Sequence, residues 1–295
     1  MRKIPALVVS GFLGSGKTTL VRHLLAAAQA EGARVAFVSN ELGELGIDRA
    51  LLGGGTESFV ELAGGCVCCA LNDALYDTLI ALRASVDPDR IVIETSGVAV
   101  PHDVQLTFYQ PPIRDWISEE AVVVVVNAEQ VLEGRDLDGT FSEQIESADL
   151  VLLNKVDLVP ADAVPALQAA VAEMNPGVPV LPCVRGAIDA RLLLASAGRN
   201  PLADPPAGEA HDHALHDAYV AAVVPIPAGL DADAVESRLR ATGALRVKGF
   251  VQLDTGPAVV SGVGRRMEII PAEDPVDPSL IGRVVVIRRK EQEAR

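Results

Sequence analysis

Gly11-Phe12-Leu13-Gly14-Ser15-Gly16-Lys17-Thr18 fits the pattern G-x-x-x-x-G-K-[ST], and the segments on either side decide how it is read. Ile4 to Val9 before it is a short apolar run; Thr19 to Ala30 after it is rich in Leu and Ala and has no internal breaker. That order is strand, loop, helix, the setting in which the pattern cradles phosphate. Gly11, Gly14 and Gly16 let the backbone curl so that its N–H groups point inward, and the helix N-terminus adds a positive end that favours phosphate oxygens. Ser15 and Thr19 belong to the same cradle. Lys17 supplies a point charge to the outer phosphates, and the Thr18 hydroxyl is the natural ligand of the Mg²⁺ that bridges them.

Outward from this loop the chain alternates strands and helices. Strands are predicted at Arg34 to Ser39, Ser58 to Leu62, Arg90 to Thr95, Ala121 to Asn127, Leu150 to Leu153 and Val178 to Leu181. Helices are predicted at Leu71 to Ala84 and at Ala161 to Met174, where Pro165 is tolerable only in or near the first turn. Val122 to Val126 are consecutive valines, so both faces of that strand are covered, as in a parallel sheet with helices on each side. The expected fold is a doubly wound α/β domain with a mostly parallel sheet, whose ligands sit at the carboxyl ends of the strands. The motifs that follow fall at those ends.

Asn154-Lys155-Val156-Asp157 closes one strand. Asp157 can accept from guanine N1–H and N2–H₂ together, whereas adenine would leave the carboxylate unpaired; such a site rejects the wrong base by roughly 10⁴-fold or more. Asn154 and Lys155 would brace the loop and lie over the base. The nucleotide is therefore expected to be GTP. Glu94-Thr95-Ser96-Gly97 ends another strand. Glu94 would hold Mg²⁺ directly or through water, or orient the attacking water, and the Gly97 N–H could report the third phosphate. Lys17, Thr18, Glu94 and Gly97 are thus the expected catalytic group.

Gly65-Cys66-Val67-Cys68-Cys69 gathers three thiols within four residues. As thiolates they would repel one another, and a soft or borderline divalent metal is the usual reason to collect them. Zn²⁺ wants four ligands; the fourth could be Glu41, a His, a water or a group from a client protein. Cys183 stands alone and is expected in the core. His211-Asp212-His213-Ala214-Leu215-His216 lies in a Gly-, Pro- and Asp-rich segment, where it either scavenges metal loosely or is solvated linker. His23 and His102 are expected to be structural.

The formal net charge of −15 argues against nucleic acid partners and against a polybasic membrane contact. Met1-Arg2-Lys3 and the apolar run after it open like a secretory leader, but the run ends in Gly-Ser-Gly-Lys with no cleavage pattern. No stretch reaches the roughly 20 apolar residues of a membrane span. Clustered thiols suit a reducing compartment, so a cytoplasmic location is expected. The predicted organisation is a GTPase domain over 1–196, a linker over 197–217 and a small α+β domain over 218–295. In the last, Tyr219 to Ile226, Leu245 to Leu253, Ala258 to Val260 and Val284 to Ile287 are strands, Asp231 caps a helix to Ala241, and Arg288 to Arg295 is a charged, frayed tail.

Together these residues resemble one family, the CobW-type P-loop GTPases, a group of GTP-dependent metallochaperones. The resemblance rests on the phosphate loop, the Asn40-Glu41 and Gly43-Glu44 loop, Gly-Cys-Val-Cys-Cys, Glu-Thr-Ser-Gly and Asn-Lys-Val-Asp, in the family's order, and less specifically on Arg246-Val247-Lys248-Gly249-Phe250. It implies slow GTP hydrolysis, binding of Zn²⁺, Co²⁺ or a similar ion at Cys66, Cys68 and Cys69, and delivery to a client metalloprotein or cofactor-biosynthesis enzyme. It also places Glu41 and Asp48 in a nucleotide-responsive switch loop, with Glu41 a further metal ligand. A homodimer is compatible with this reading. Two alternatives stand beside it: a metal buffer or sensor with a nucleotide clamp and no client, and a GTPase that activates a partner enzyme and carries only structural zinc.

Overall fold

The computed structural model describes residues 2–39, 59–61, 70–137, 139–194, 219–264, 266–272, 276, 278 and 280–289. Glu41, the rest of the acidic loop, Cys66, Cys68, Cys69 and the His211 to His216 segment lie outside the described residues. The chain divides into two compact units, Met1–Ala187 and Ile188–Arg295.

In the first unit β1 (Ile4–Ser10), β2 (Val35–Ser39), β3 (Phe59–Glu61), β4 (Arg90–Glu94), β5 (Ile117–Asn127), β6 (Leu150–Asn154) and β7 (Val180–Pro182) form one sheet in the order β3-β2-β4-β1-β5-β6-β7. Every pair in it is parallel. The valine run explains its own place: Val122 to Val126 are each at most 1% exposed, as a central strand covered on both faces must be. Ala6, Val8, Val122 and Val124 pack in one cluster with Leu75 and Leu79 of α2 (Ala70–Ser85) and with Val104 and Phe108 of α3 (Pro101–Phe108). Leu7, Val9, Val123 and Val125 alternate to the other face and are equally buried. There α1 (Lys17–Ala30), in contact with β1 and β4, brings in Leu20 and Leu24.

Several short helices escape the sequence reading: α3, α4 (Ala128–Glu133) and α5 (Thr140–Glu146). The helix expected from Ala161 starts instead at Val164 and runs to Met174 as α6. Proline has no N–H to give to a carbonyl one turn back, so a start at Val164 puts Pro165 where that donor is unused anyway.

In the second unit, after the short helix α7 (Arg191–Leu194), β8 (Tyr219–Pro225), β9 (Arg246–Leu253), β10 (Gly256–Val263), β11 (Arg266–Pro271) and β12 (Arg283–Arg289) make an antiparallel sheet in the order β11-β10-β9-β12-β8. Helix α8 (Ala232–Arg240) buries Val235 and Leu239 against Val247, Val251, Val260 and Val286, and Asp231 caps it by accepting from the Ala234 N–H at 2.8 Å. Strand β11 was not expected. The start of the expected tail is also corrected: Arg288 and Arg289 continue β12, opposite Val220 and Tyr219, because the backbone ladder with β8 holds them whatever their charge. Among the described residues no helix is long and apolar enough to cross a membrane.

Candidate functional site

The parallel register brings three motifs to one edge of the sheet. Glu94 is the Cα partner of Val9, and the Thr95 N–H donates to the Val9 carbonyl at 2.9 Å, so the loop after β4 begins beside the phosphate loop. A buried hydroxyl pair tightens the join, with Thr95 Oγ1 donating to Ser10 Oγ at 2.9 Å. Thr18 Oγ1, in the first turn of α1, donates to Glu94 Oε1 at 2.8 Å. Glu94 is 2% exposed and Lys17 4% exposed, with Lys17 Nζ donating to the Phe12 carbonyl at 3.4 Å.

Two glycines here have no substitute. Gly11 has φ +138°, and a Cβ on it would lie 2.1 Å from the Val125 carbonyl oxygen. Gly16 has φ +108°, and its Cβ would lie 2.3 Å from Asn154 Nδ2. Both are left-handed positions closed on by a neighbour, so any side chain would deform the loop. Gly14, at φ +71°, has no such neighbour.

Asn154 ends β6, two strands from β1, and still reaches the phosphate loop. It is 1% exposed; its Nδ2 donates to the Ser15 carbonyl at 2.8 Å, and its Oδ1 accepts from the Gly186 N–H at 2.8 Å. One side chain thus ties the phosphate loop to the turn after β7. Lys155 follows with φ +62°, and Asp157 sits exposed in a short 3₁₀ turn, Val156–Leu158, where its carboxylate can meet a ligand. Gly97 abuts the phosphate loop: a Cβ on it would lie 2.7 Å from Leu13 Cγ.

The sequence reading missed the turn around Gly186, Leu13 as a contact of Gly97, and Gln144, which donates to the Gly97 carbonyl. Cys183 is buried as expected, but it also touches the site, with Sγ 3.5 Å from Asn154 Oδ1. Burial pushes its thiol up to about 12, against a smaller lowering by the Gly186 backbone N–H. His23, on α1, lies with Nδ1 3.3 Å from the Gly186 carbonyl. His102 is an exposed residue of α3.

The residues present fit a Mg²⁺-bound nucleoside phosphate. The donor set is hard oxygen, a hydroxyl and a carboxylate in contact, which suits Mg²⁺. Ser15 Oγ is buried without a hydrogen-bond partner among the described residues, an arrangement that a phosphate oxygen would relieve. Among the described residues no group of three or more His, Cys, Asp or Glu side chains could hold a metal ion; the three clustered cysteines are outside them.

Comparison with known proteins agrees with this geometry. Residues 5–182 match the CobW/HypB/UreG nucleotide-binding domain, and residues 219–295 match the cobalamin synthesis protein cobW C-terminal domain. The chain is similar to the zinc chaperone CobW of a Sinorhizobium species, 33% identical over 312 residues that cover 90% of this chain and 87% of that protein. It is similar also to the zinc chaperone CobW of Pseudomonas aeruginosa, 34% identical over 313 residues covering 91% and 82%. Among solved structures it resembles the Zn(II)-bound YjiA GTPase of Escherichia coli, with 26% identity, a TM-score of 0.51 and coverage of 99% of this chain and 96% of that one.

Proposed function

The chain belongs to the CobW/HypB/UreG family of nucleotide-binding proteins, and from that premise we propose that it is a GTP-hydrolysing metallochaperone. It takes up a divalent transition metal, zinc or cobalt, through Cys66, Cys68 and Cys69 and delivers it to a client metalloprotein or cofactor-biosynthesis enzyme. Its similarity to proteins described as zinc chaperones favours zinc.

The observation that carries the reading is where the chain leaves the sheet. Ser39 is the Cα partner of both Glu94 and Glu61, so β4, β2 and β3 end level with one another next to the phosphate loop. Three strand spacings separate Glu61 from β1, about 14 Å. Five residues of chain from Glu61 to Cys66 span at most about 17 Å. Chain length therefore allows the thiols to reach the Thr18–Glu94 pair, and Glu41 follows Ser39 by two residues.

Lys17 and the N–H groups of the phosphate loop bind the outer phosphates and orient them. Asn154 holds the loop to the turn at Gly186, and Asp157 accepts from the guanine edge. Thr18 and Glu94 would hold Mg²⁺, which when bound neutralises charge on the outer phosphates. Gly97, pressed against Leu13, offers its N–H to the third phosphate. Loss of that phosphate removes the contact, relaxes the Glu41 loop and loosens the thiolate site, so that the ion passes to the client. Clustered thiols need a reducing compartment, consistent with a cytoplasmic location.

One preparation tests this. The protein with Mg²⁺ should release phosphate from GTP and not from ATP, and should bind Zn²⁺ at a single tight site that Cys68→Ala removes while GTP binding persists. Hydrolysis without stoichiometric Zn²⁺ binding would remove the metallochaperone half of the reading. Loss of GTP binding in Cys68→Ala would make the thiols structural.

A further inference from the structure

Gln144 is fully buried on α5, and nothing in the chemistry above uses it. Its Nε2 donates to two carbonyls of one short segment, Gly97 at 3.2 Å and Ala99 at 2.9 Å. Both neighbours are carbonyl oxygens, so the nitrogen of the amide must be the end that faces them. Its other end, Oε1, is buried with no hydrogen-bond partner among the described residues.

The segment it holds lies against the phosphate loop. Gly97 meets the phosphate loop on one side, where a Cβ would lie 2.7 Å from Leu13 Cγ and Cδ2 and 2.8 Å from the Leu13 nitrogen. Gln144 grips it from the other. The segment before it is set by the β4 register, and the one after it by the start of α3 at Pro101. Gly97 to Ala99 is the span between these fixed ends, and Gln144 is its side-chain clamp.

We propose that Gln144 is the positioning residue of the GTPase: by holding the Gly97 and Ala99 carbonyls it orients this turn so that the Gly97 N–H meets the third phosphate. The inference rests on the GTPase reading and deepens it. A tether needed only for folding has no reason to leave one end of its amide unmet, since a buried polar atom without a partner is costly.

The experiment compares wild type with Gln144→Met, similar in size and without hydrogen bonds, and with Gln144→Asn, the same amide one methylene shorter. Affinity for GDP, affinity for a non-hydrolysable GTP analogue, kcat for GTP with Mg²⁺ and the thermal midpoint are measured for each. Both variants should keep GDP affinity within about twofold, bind the analogue about tenfold more weakly, or about 1.4 kcal/mol, and lose about tenfold in kcat. A residue that only stabilises the fold would lower the midpoint and leave the ratio of GDP to analogue affinity unchanged, which would overturn the proposal. Failure of both variants to fold would do the same. Wild type that hydrolyses no GTP would instead sink the GTPase reading, a result distinct from active wild type with unaffected variants.

Discussion

Asn154→Ala is the substitution whose cost can be worked most directly from the structure. It removes the donor to the Ser15 carbonyl and the acceptor for the Gly186 N–H, both at 2.8 Å and both buried. Each such bond is worth about 1 kcal/mol net, and each group left unsatisfied in the interior costs about 1–3 kcal/mol. Together the expected loss is about 2–6 kcal/mol. For a unit of this size 1 kcal/mol moves the midpoint by about 2–4 °C, so thermal unfolding should show a fall of roughly 10 °C. Asn154→Asp separates the two bonds. It keeps an acceptor for Gly186 but turns a carboxylate oxygen toward the Ser15 carbonyl, so at neutral pH it should cost as much as alanine. Calorimetry with and without Mg²⁺-GTP gives a second measure, because ligand stabilisation follows RT ln(1 + [L]/Kd) and should shrink in both variants. If Asn154→Asp unfolded with wild type, the bond to Ser15 would carry nothing and the link between the two loops would be wrong.

The other predictions are narrower. Asp157→Ala should abolish discrimination between GTP and ATP in competition binding; a preserved preference would put the base elsewhere. Burial pushes the Asp89 carboxyl up, but the Arg34 backbone N–H and the Arg34 and Arg2 guanidiniums outweigh it and hold it at about 2. A carboxyl depressed below its ordinary value of about 3.9 stabilises the fold above that pH and loses the contribution as pH falls toward 2. Asp89→Asn should therefore lower the thermal midpoint at pH 7 and match wild type near pH 2, and a pH-independent difference would contradict the assignment. Cys183, with its thiol pushed up to about 12 by burial, should resist thiol reagents at pH 7 until the protein is unfolded. Its labelling in native protein, mapped by peptide mass, would contradict its buried place.

The long strands were legible because their residues leave no choice. Five valines in a row suit only a strand covered on both sides, and Gly16 before Lys17 suits only a left-handed turn into a helix. Short helices were not, since α4 and α5 have 6 and 7 residues, less than two full turns of period. Strand β11 hid because its outer face is the Arg266–Glu268 ion pair, although Met267 and Ile269 alternate with it and pack inward. Gln144 left one trace, a polar residue on the same helix face as Phe141 and Ile145. Its meaning depends on Gly97 and Ala99, more than forty residues away in the chain, which only the folded sheet brings near.

In the proposed function nucleotide and metal share one rim and sense one another. Coupling between two binding sites is reciprocal, so each must tighten the other by the same factor. The direct test is an anaerobic Zn²⁺ titration of the protein against a competing chelator, once with Mg²⁺ and a non-hydrolysable GTP analogue and once with Mg²⁺ and GDP. The analogue-bound protein should hold Zn²⁺ at least about tenfold more tightly, a coupling of about 1.4 kcal/mol. Equal Zn²⁺ affinity in the two nucleotide states would contradict it.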